Sequence, residues 1–160
     1  MTICKRLREY LDAHHVKYVV ITHSQAFTAQ EIAARMHVPG REMAKTVVVK
    51  TSAGLALAVV RAPDRVDLER VGGTLGDKVR LATEQEFRTA FPDCELGAMS
   101  PFGNLYDIPT LVEEQLARDQ EIVFNAGNHT EAIRMAYADF AVHARPRVGR
   151  LALSLTEAAR

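Results

Sequence analysis

A lysine in a valine-rich segment and a loop bounded by glycines are the residues of this sequence best suited to chemistry. Lys45 lies in residues 44–50 (AKTVVVK), where its ammonium would supply a fixed positive charge. The 97–103 loop (GAMSPFG) has a glycine at each end and can bring backbone N–H groups close to a ligand. A cation and backbone donors together can position an ester and stabilise its oxyanion without a protein nucleophile.

Small polar side chains at the ends of predicted strands would complete such a site: His23, Ser24, Asn125 and His129. Both main features also have a structural interpretation. A lysine at a strand edge can simply reach water or discourage strand aggregation, and a loop rich in glycine and proline can simply be a turn. The residues alone leave these alternatives open.

The elements that would position Lys45 form a predicted β-hairpin. Consecutive valines favour a strand over residues 44–50, residues 51–54 (TSAG) suit a turn, and residues 55–60 return as the partner strand. Alternation places Lys45 on the same face as two of the valines. Ala56 and Ala58 lie on one face of the partner strand, and their small side chains would leave that face shallow. We therefore predict a small cavity there.

Other elements follow from capping residues and hydrophobic periodicity. Helices are predicted after Thr2 (ending near His14-His15), Thr28, Asp67 (ending at Gly72-Gly73), Thr83 and Asp139. Strands are predicted at 18–21, 78–81, 107–112 (an edge strand, because it contains Pro109) and 121–127. Residues 131–136 suit either helix or strand, and residues 147–160 show no strong pattern.

Composition restricts the class of protein. The 160 residues are 48% hydrophobic and 25% charged, enough for a single domain with a core, 1–160. Twenty basic and twenty acidic residues cancel, which counts against a protein that coats nucleic acid. We see no signal peptide or membrane span, and the two cysteines, Cys4 and Cys94, suggest free thiols in a reducing cytoplasm.

Two other functional classes fit the sequence less well. Residues 30–39 resemble the first half of a DNA-binding helix-turn-helix, but the second helix would have to run through residues 43–49, where the valines resist helix. Metal hydrolysis is disfavoured because the six histidines are scattered and no ligand motif occurs. We therefore expect no metal, no other cofactor and no DNA partner.

Several segments together resemble the YbaK/ProX family of aminoacyl-tRNA deacylases. They are His23, Ala26, Thr28 and Glu31 followed by residues 44–49, the 97–103 loop, which is similar to the family's G-x-x-x-P loop, and residues 124–129 (FNAGNH). The resemblance covers about residues 15 to 145. It implies an α/β (α+β) fold, with a mixed, strongly curved or barrel-like sheet surrounded by helices, and it makes residues 131–136 a strand.

The resemblance also implies a function. Family members clear mischarged tRNA by hydrolysing the ester between an amino acid and the 3′-terminal adenosine, in trans or attached to prolyl-tRNA synthetase. Lys45 would be the catalytic lysine. The substrate-binding residues would be Gly97, Ser100, Pro101, Gly103, His23, Phe27, Asn125, Gly127 and His129.

We therefore expect a cytoplasmic enzyme that acts on the acceptor end of mischarged aminoacyl-tRNA. Alanine or serine is the expected amino acid, and an aminoacyl-tRNA synthetase is a possible partner. The alternative from another class is a non-catalytic module that binds aminoacyl-tRNA or a synthetase.

Overall fold

The hairpin that carries Lys45 lies at the centre of the larger sheet. The structure is a computed structural model, and it describes residues 4–22 and 43–153. Its strands are β1 Tyr18–Thr22, β2 Ala44–Thr51, β3 Gly54–Arg61, β4 Arg65–Val66, β5 Arg80–Leu81, β6 Thr110–Glu113, β7 Glu121–Asn125, β8 Glu131–Ala136, β9 Arg147–Gly149 and β10 Ala152–Leu153. Its helices are α1 Lys5–Ala13, α2 Leu68–Leu75, α3 Glu84–Phe87 and α4 Tyr137–Ala144, with short 3₁₀ turns at Gly103–Tyr106 and Leu116–Arg118.

The strands are arranged as a mixed α/β domain, as predicted. A five-stranded sheet has the order β5-β2-β3-β6-β9, a three-stranded sheet the order β1-β8-β7, and β10 pairs with β4. In the larger sheet β2 is antiparallel to β3 and β5, whereas β6 is parallel to β3 and β9. The sheet orders are open in the described residues, so the barrel-like alternative is wrong and the mixed sheet is confirmed.

The two segments 131–136 and 110–113 each form a strand with a defined place in a sheet. Residues 131–136 form β8, which lies between β1 and β7 in antiparallel pairing. β7 forms the first five residues of the strand predicted at 121–127 and ends at Asn125. Residues 110–113 form β6, an interior strand between β3 and β9, so the edge-strand prediction is wrong. Pro109 precedes β6 and its carbonyl accepts from the Leu57 N–H, so the proline takes no donor position from the ladder.

The helix-turn-helix hypothesis is wrong for the part of it that the structure describes. Residues 44–51, where its second helix would have to be, are strand β2 along their whole length. The first half of the motif, residues 30–39, lies outside the described residues, as do the predicted Thr28 helix and Thr2.

Several helix ends differ from the prediction for identifiable reasons. Helix α1 begins at Lys5 with Cys4 as N-cap. Asp67 caps α2 as predicted, yet the helix continues through both glycines to Leu75, and its C-cap Gly76 takes the left-handed conformation. Asp139 lies inside α4, whose N-cap is Ala136, so the predicted cap is wrong. The Thr83 capping box is confirmed.

Buried apolar side chains lie on both faces of the β2–β3 hairpin. One face packs Val49, Ala56 and Ala58 against Val71 of α2 and Leu151 of the tail. The other face carries two clusters, one around Val48 and Leu57 with Phe91 and Met99, the other around Phe102, Phe124 and Phe140. The hairpin is therefore covered on both sides.

The tail after β9, which has no strong sequence pattern, is attached to the sheet by a buried carboxylate. Glu113 is 5% exposed. Its Oε1 accepts from the N–H groups of Leu151 and Ala152 at 2.9 and 3.1 Å, and its Oε2 accepts from Gln115 N–H at 3.0 Å. Three backbone donors thus converge on one side chain and hold the segment between β9 and β10.

Replacing Glu113 with alanine should destabilise the fold by about 2–4 kcal/mol, because it leaves buried backbone donors without an acceptor. Urea denaturation followed by circular dichroism measures this free energy of unfolding. Glu114→Ala is the matched control, since its carboxylate lies 4.0 Å from Arg150 near the surface and should contribute less than about 0.5 kcal/mol. Equal losses in the two variants would contradict the role given to Glu113.

Candidate functional site

Lys45 lies at the second position of β2, where the two larger sheets meet. It pairs with Val60 of β3 in antiparallel register, while β5 reaches β2 only at Val49 and Lys50. The side chain is half-buried and lines a cavity of about 500 Å³ with Val47, Asp64 and Leu81 among its walls. The pocket interpretation of this lysine therefore has a cavity to support it.

Burial and one carboxylate set the electrostatics of Lys45. Desolvation lowers the pKa of the ammonium from its usual value, and the charge of Asp64 partly opposes that change. Asp64 is itself 8% exposed and belongs to the turn after β3, where its N–H donates to Arg61. A half-buried cation beside a buried carboxylate is a fixed charge that a polar substrate can contact.

Asn125 comes to the same junction from the smaller sheet. Met43 and Val123 form an isolated parallel bridge just before Lys45 and Asn125. Because side chains alternate along extended chains, the next positions on the same side of the two segments are Lys45 and Asn125. Asn125 is the last residue of β7 and is half-buried. Lys45 and Asn125 therefore each lie two residues beyond the bridge that joins the two sheets.

Gly97, Gly127 and His129 form a second group, in the loops that follow. Gly127 N–H donates to the carbonyl of Ala98 at 2.9 Å, and its own carbonyl accepts from Glu95 N–H at 2.7 Å. His129 Nε2 lies 2.8 Å from the carbonyl oxygen of Leu96. These bonds join the 97–103 loop to the loop after β7.

Of the four predicted site residues in the 97–103 loop, Gly97 is the exposed one. Its φ of +85° is a left-handed value that favours glycine, and an added Cβ would lie 3.5 Å from His129 Cε1. By contrast Ser100, Pro101 and Gly103 are buried. Phe102 N–H donates to Ser100 Oγ at 3.4 Å, and Gly103 N–H to Thr110 Oγ1 at 3.1 Å.

Three of the backbone donors expected from this loop bind oxygen atoms of the protein itself. Ala98 N–H donates to Glu95, and those of Phe102 and Gly103 are bound as described. Gly97 N–H points at the thioether sulfur of Met99, 3.2 Å away, and a thioether is a weak acceptor. Gly97 N–H is thus a weakly engaged donor at an exposed position, which a substrate oxygen could contact.

Lys45 and the loop do not share a face of the hairpin. Lys45 lies on the same face of β2 as Val47 and Val49. Met99 packs with Val48, whose side chain lies on the opposite face. Any substrate that contacts both must therefore pass the edge of β2, where Asn125 lies. Ala56 and Ala58 are buried against α2 and the tail, and neither lines the cavity at Lys45. Ala56 lines a separate cavity of about 410 Å³ with Leu55 and Ile108, so the small substrate cavity predicted from the two alanines stays a prediction.

Two predicted site residues, His23 and Phe27, lie outside the described residues, as does Ser24. Two contributors were missed by sequence reasoning. Asp64 reaches Lys45 only through the turn after β3, and no local pattern signals it. Asn128 is 1% exposed, and its Oδ1 accepts from the N–H groups of Thr130 and Glu131 at 2.9 and 2.8 Å. An Asn after a glycine in a predicted loop was the available signal for this turn.

Comparison with known proteins gives one family and several structures. The model of the aminoacyl-tRNA editing domain matches residues 23–142. A solved hypothetical protein is 18% identical with a TM-score of 0.79, covering 93% of this chain and 100% of its own. A structure named "a putative trans-editing enzyme for prolyl tRNA synthetase" is 21% identical with a TM-score of 0.78, covering 94% and 97%. At these identities the structures support the fold, and no curated protein matches the sequence.

Asp64→Asn should lower the pKa of Lys45 further, because it removes the charge that opposes desolvation. Competitive labelling of the lysine amine across a pH series measures this pKa. Glu69→Gln removes the same charge from an exposed position on α2 and should leave the pKa unchanged. An unchanged Lys45 pKa in Asp64→Asn would show that the two charges do not interact.

Proposed function

This chain belongs to the family of aminoacyl-tRNA editing domains, and on that premise we propose that it is a trans-acting aminoacyl-tRNA deacylase. It would hydrolyse the ester between a wrongly attached amino acid and the 3′-terminal ribose of tRNA. Water forms the new bond to the carbonyl carbon, the bond to the ribose oxygen breaks, and that oxygen receives the proton.

The observation that carries this proposal is the half-buried ammonium of Lys45 at the sheet junction. Negative charge develops on the carbonyl oxygen as water attacks, and a preorganised cation in a partly desolvated position stabilises that charge more than it would in water. Lys45 could equally orient the terminal adenosine through its phosphate. In either role the substrate's ribose hydroxyl assists the water, and no covalent enzyme intermediate forms.

The loops would hold the amino-acid end of the substrate. Gly97 N–H, which donates to a thioether sulfur, is the proposed donor to the amino-acid end of the substrate, across the edge of β2 from Lys45. Asn125 and His129 are the proposed polar contacts, with Gly127 at the turn between them. Ser100, Pro101 and Gly103 are buried, so we assign them to shaping the loop rather than to direct contact.

The proposed substrate is a small amino acid on tRNA, such as alanine or serine. One methyl group changes binding in an apolar pocket by only about 1–3 kcal/mol, too little for a synthetase to reject close analogues alone. A second site that hydrolyses what fits its own cavity solves this problem. With Ala56 and Ala58 buried elsewhere, this proposal rests on that discrimination argument and on the small Ala98 beside Gly97.

The proposed setting is the cytoplasm, in contact with the acceptor end of tRNA and with an aminoacyl-tRNA synthetase. The balanced charge of twenty basic and twenty acidic residues suits a protein that grips one end of a tRNA. In the described part of the chain, every helix is too short or too polar for a membrane span.

Lys45→Ala should reduce the rate of deacylation by about 10²–10³, because it removes one preorganised electrostatic group. Release of labelled amino acid from mischarged tRNA measures the rate. Lys50→Ala is the matched control, since Lys50 lies on the same strand but the opposite face. Lys45→Arg should also be inactive, because a planar guanidinium does not replace a compact ammonium. Near-normal turnover by folded Lys45→Ala would refute the mechanism.

Gly97→Val should reduce activity more than it reduces the folded fraction, since a side chain would crowd His129 and the donor N–H. Gly76→Val is a matched control, because Gly76 has a similar φ of +71° with open space around it. Both variants therefore carry similar backbone strain, and only Gly97→Val should lose activity per folded molecule. If the two lose activity in equal proportion to folded protein, the loop is only structural.

The test of the whole proposal is a panel of tRNAs charged with alanine, serine, proline and phenylalanine. We expect alanyl or seryl esters to be cleaved fastest. Cleavage of phenylalanyl esters at the same rate would reject the small-cavity hypothesis while leaving the deacylase proposal intact. Tight binding without cleavage of any ester would favour the alternative of a non-catalytic binding module.

A further inference from the structure

The two cysteines of the chain, ninety positions apart in sequence, lie side by side behind the 97–103 loop. Both are free, Cys4 buried and Cys94 half-buried, and their Sγ atoms are 3.4 Å apart. The side chains of Asp93 and Tyr106 lie in the same cluster. The proposed deacylation uses none of these four groups.

The polar atoms of the cluster are all within contact distance of one another. Cys4 Sγ lies 2.8 Å from Asp93 Oδ2 and 2.9 Å from Tyr106 Oη. Cys94 Sγ lies 3.3 Å from Tyr106 Oη and 3.8 Å from Asp93 Oδ1. Tyr106 Oη donates to Asp93 Oδ1 at 2.6 Å. Two sulfur atoms and one carboxylate therefore lie close enough together to be ligands of one metal ion.

These separations are close to those of a tetrahedral zinc site. With Zn–S bonds of about 2.3 Å and Zn–O bonds of about 2.0–2.2 Å, neighbouring ligand atoms would be roughly 3.5–3.8 Å apart. The three candidate ligand atoms lie within 4.8 Å of one another, so shifts of about 1 Å or less would admit the ion. Two thiolates with one carboxylate suit zinc, whereas the carboxylate is a poor ligand for a softer monovalent metal.

We propose that Cys4, Cys94 and Asp93 bind a zinc ion, with water or the Tyr106 hydroxyl at the fourth position. Binding releases the two thiol protons, so two thiolates and one carboxylate around Zn²⁺ give a site of net charge −1. Arg6 supplies the balancing charge. The backbone N–H of Arg6 donates to Asp93 Oδ2 at 3.1 Å, and the guanidinium lies 4.9 Å from the centre of the Tyr106 ring.

The ion would join two segments that are distant in sequence, and both are hydrogen-bonded to the loop after β7. Cys4 is the N-cap of α1, and its N–H donates to Ala126 at 2.8 Å. Cys94 and Asp93 immediately precede Glu95, whose N–H donates to Gly127. Zinc would thus fix the start of α1 against the two loops of the candidate site. The partly exposed Asp93 and Cys94 leave a path for the ion to enter.

The test uses Co²⁺ as a spectroscopic probe of the reduced full chain under argon. We expect sulfur-to-cobalt charge-transfer absorption and tetrahedral d–d bands at one Co²⁺ per chain, both abolished by one equivalent of Zn²⁺. The sequence contains two cysteines in all, so thiolate bands can arise from no other residues. Zinc should also raise the melting temperature, and a chelator should reverse that rise.

Single substitutions distinguish the residues that bind the metal from those that only lie beside it. Cys4→Ser and Cys94→Ser should each weaken zinc binding by more than about 100-fold, since loss of a mere outer-shell partner costs about 10–100-fold. Asp93→Asn should weaken it as well, while Tyr106→Phe should keep the charge-transfer band. Asp107→Asn, at an exposed carboxylate, is the control and should change nothing.

Three results would overturn the proposal. The first is a wild-type protein that gives no thiolate band at millimolar Co²⁺. The second is a band that survives in Cys4→Ser or in Cys94→Ser. The third is a reduced protein that binds no zinc but forms a Cys4–Cys94 disulfide in air, which would make the pair a redox site instead. Deacylation need not be measured, so this test is independent of the proposed function.

Discussion

The register of the β2–β3 hairpin is the constraint on which the rest of the structure depends. Eight residue pairs, from Ala44 with Arg61 to Thr51 with Gly54, fix which side chains lie on each face. A slip of one residue would exchange the faces, moving Lys45 from its cavity beside Asp64 to the face where Val48 and Leu57 are buried. The short turn 51–54 and the apolar clusters on both faces make that slip costly.

The residues of the proposed site are held partly by a strand and partly by loops. Lys45 is held by the ladder of a central strand, whose geometry is rigid. Gly97 and His129 are held by loops that are bonded to each other through Gly127 and Leu96. Sites built partly on strands and partly on loops combine accurate placement of charge with room for different ligands. The edge of β2 near Asn125 is where the two supports meet.

Local patterns predicted the elements whose causes are local. The valines of β2, the Asp67 cap and the Thr83 capping box each act within a few residues, and the structure confirms them. The interior position of β6 could not be predicted in this way, because it depends on β9, a strand with no alternating pattern. The family resemblance, and not the residues of β8 alone, decided that element.

Site chemistry was predictable in kind but not in arrangement. The sequence indicated a lysine and a glycine loop, yet it could not show that Lys45 and Met99 lie on opposite faces of one hairpin, or that Asp64 lies beside the ammonium. Nor could sequence spacing reveal that the free thiols of Cys4 and Cys94 lie in contact. Such contacts arise from the packing of distant segments, which no short motif records.

The parallel arrangement of β3, β6 and β9 bears on how the chain folds during synthesis. β9 pairs with β6 across more than thirty residues of intervening chain, and β3 with β6 across a still longer connection. The hairpin can form as soon as it leaves the ribosome, whereas one side of β6 stays unpaired until residues 147–149 emerge. During that interval the nascent chain presents an apolar strand edge, so chaperones that recognise such edges should bind it at that stage of translation.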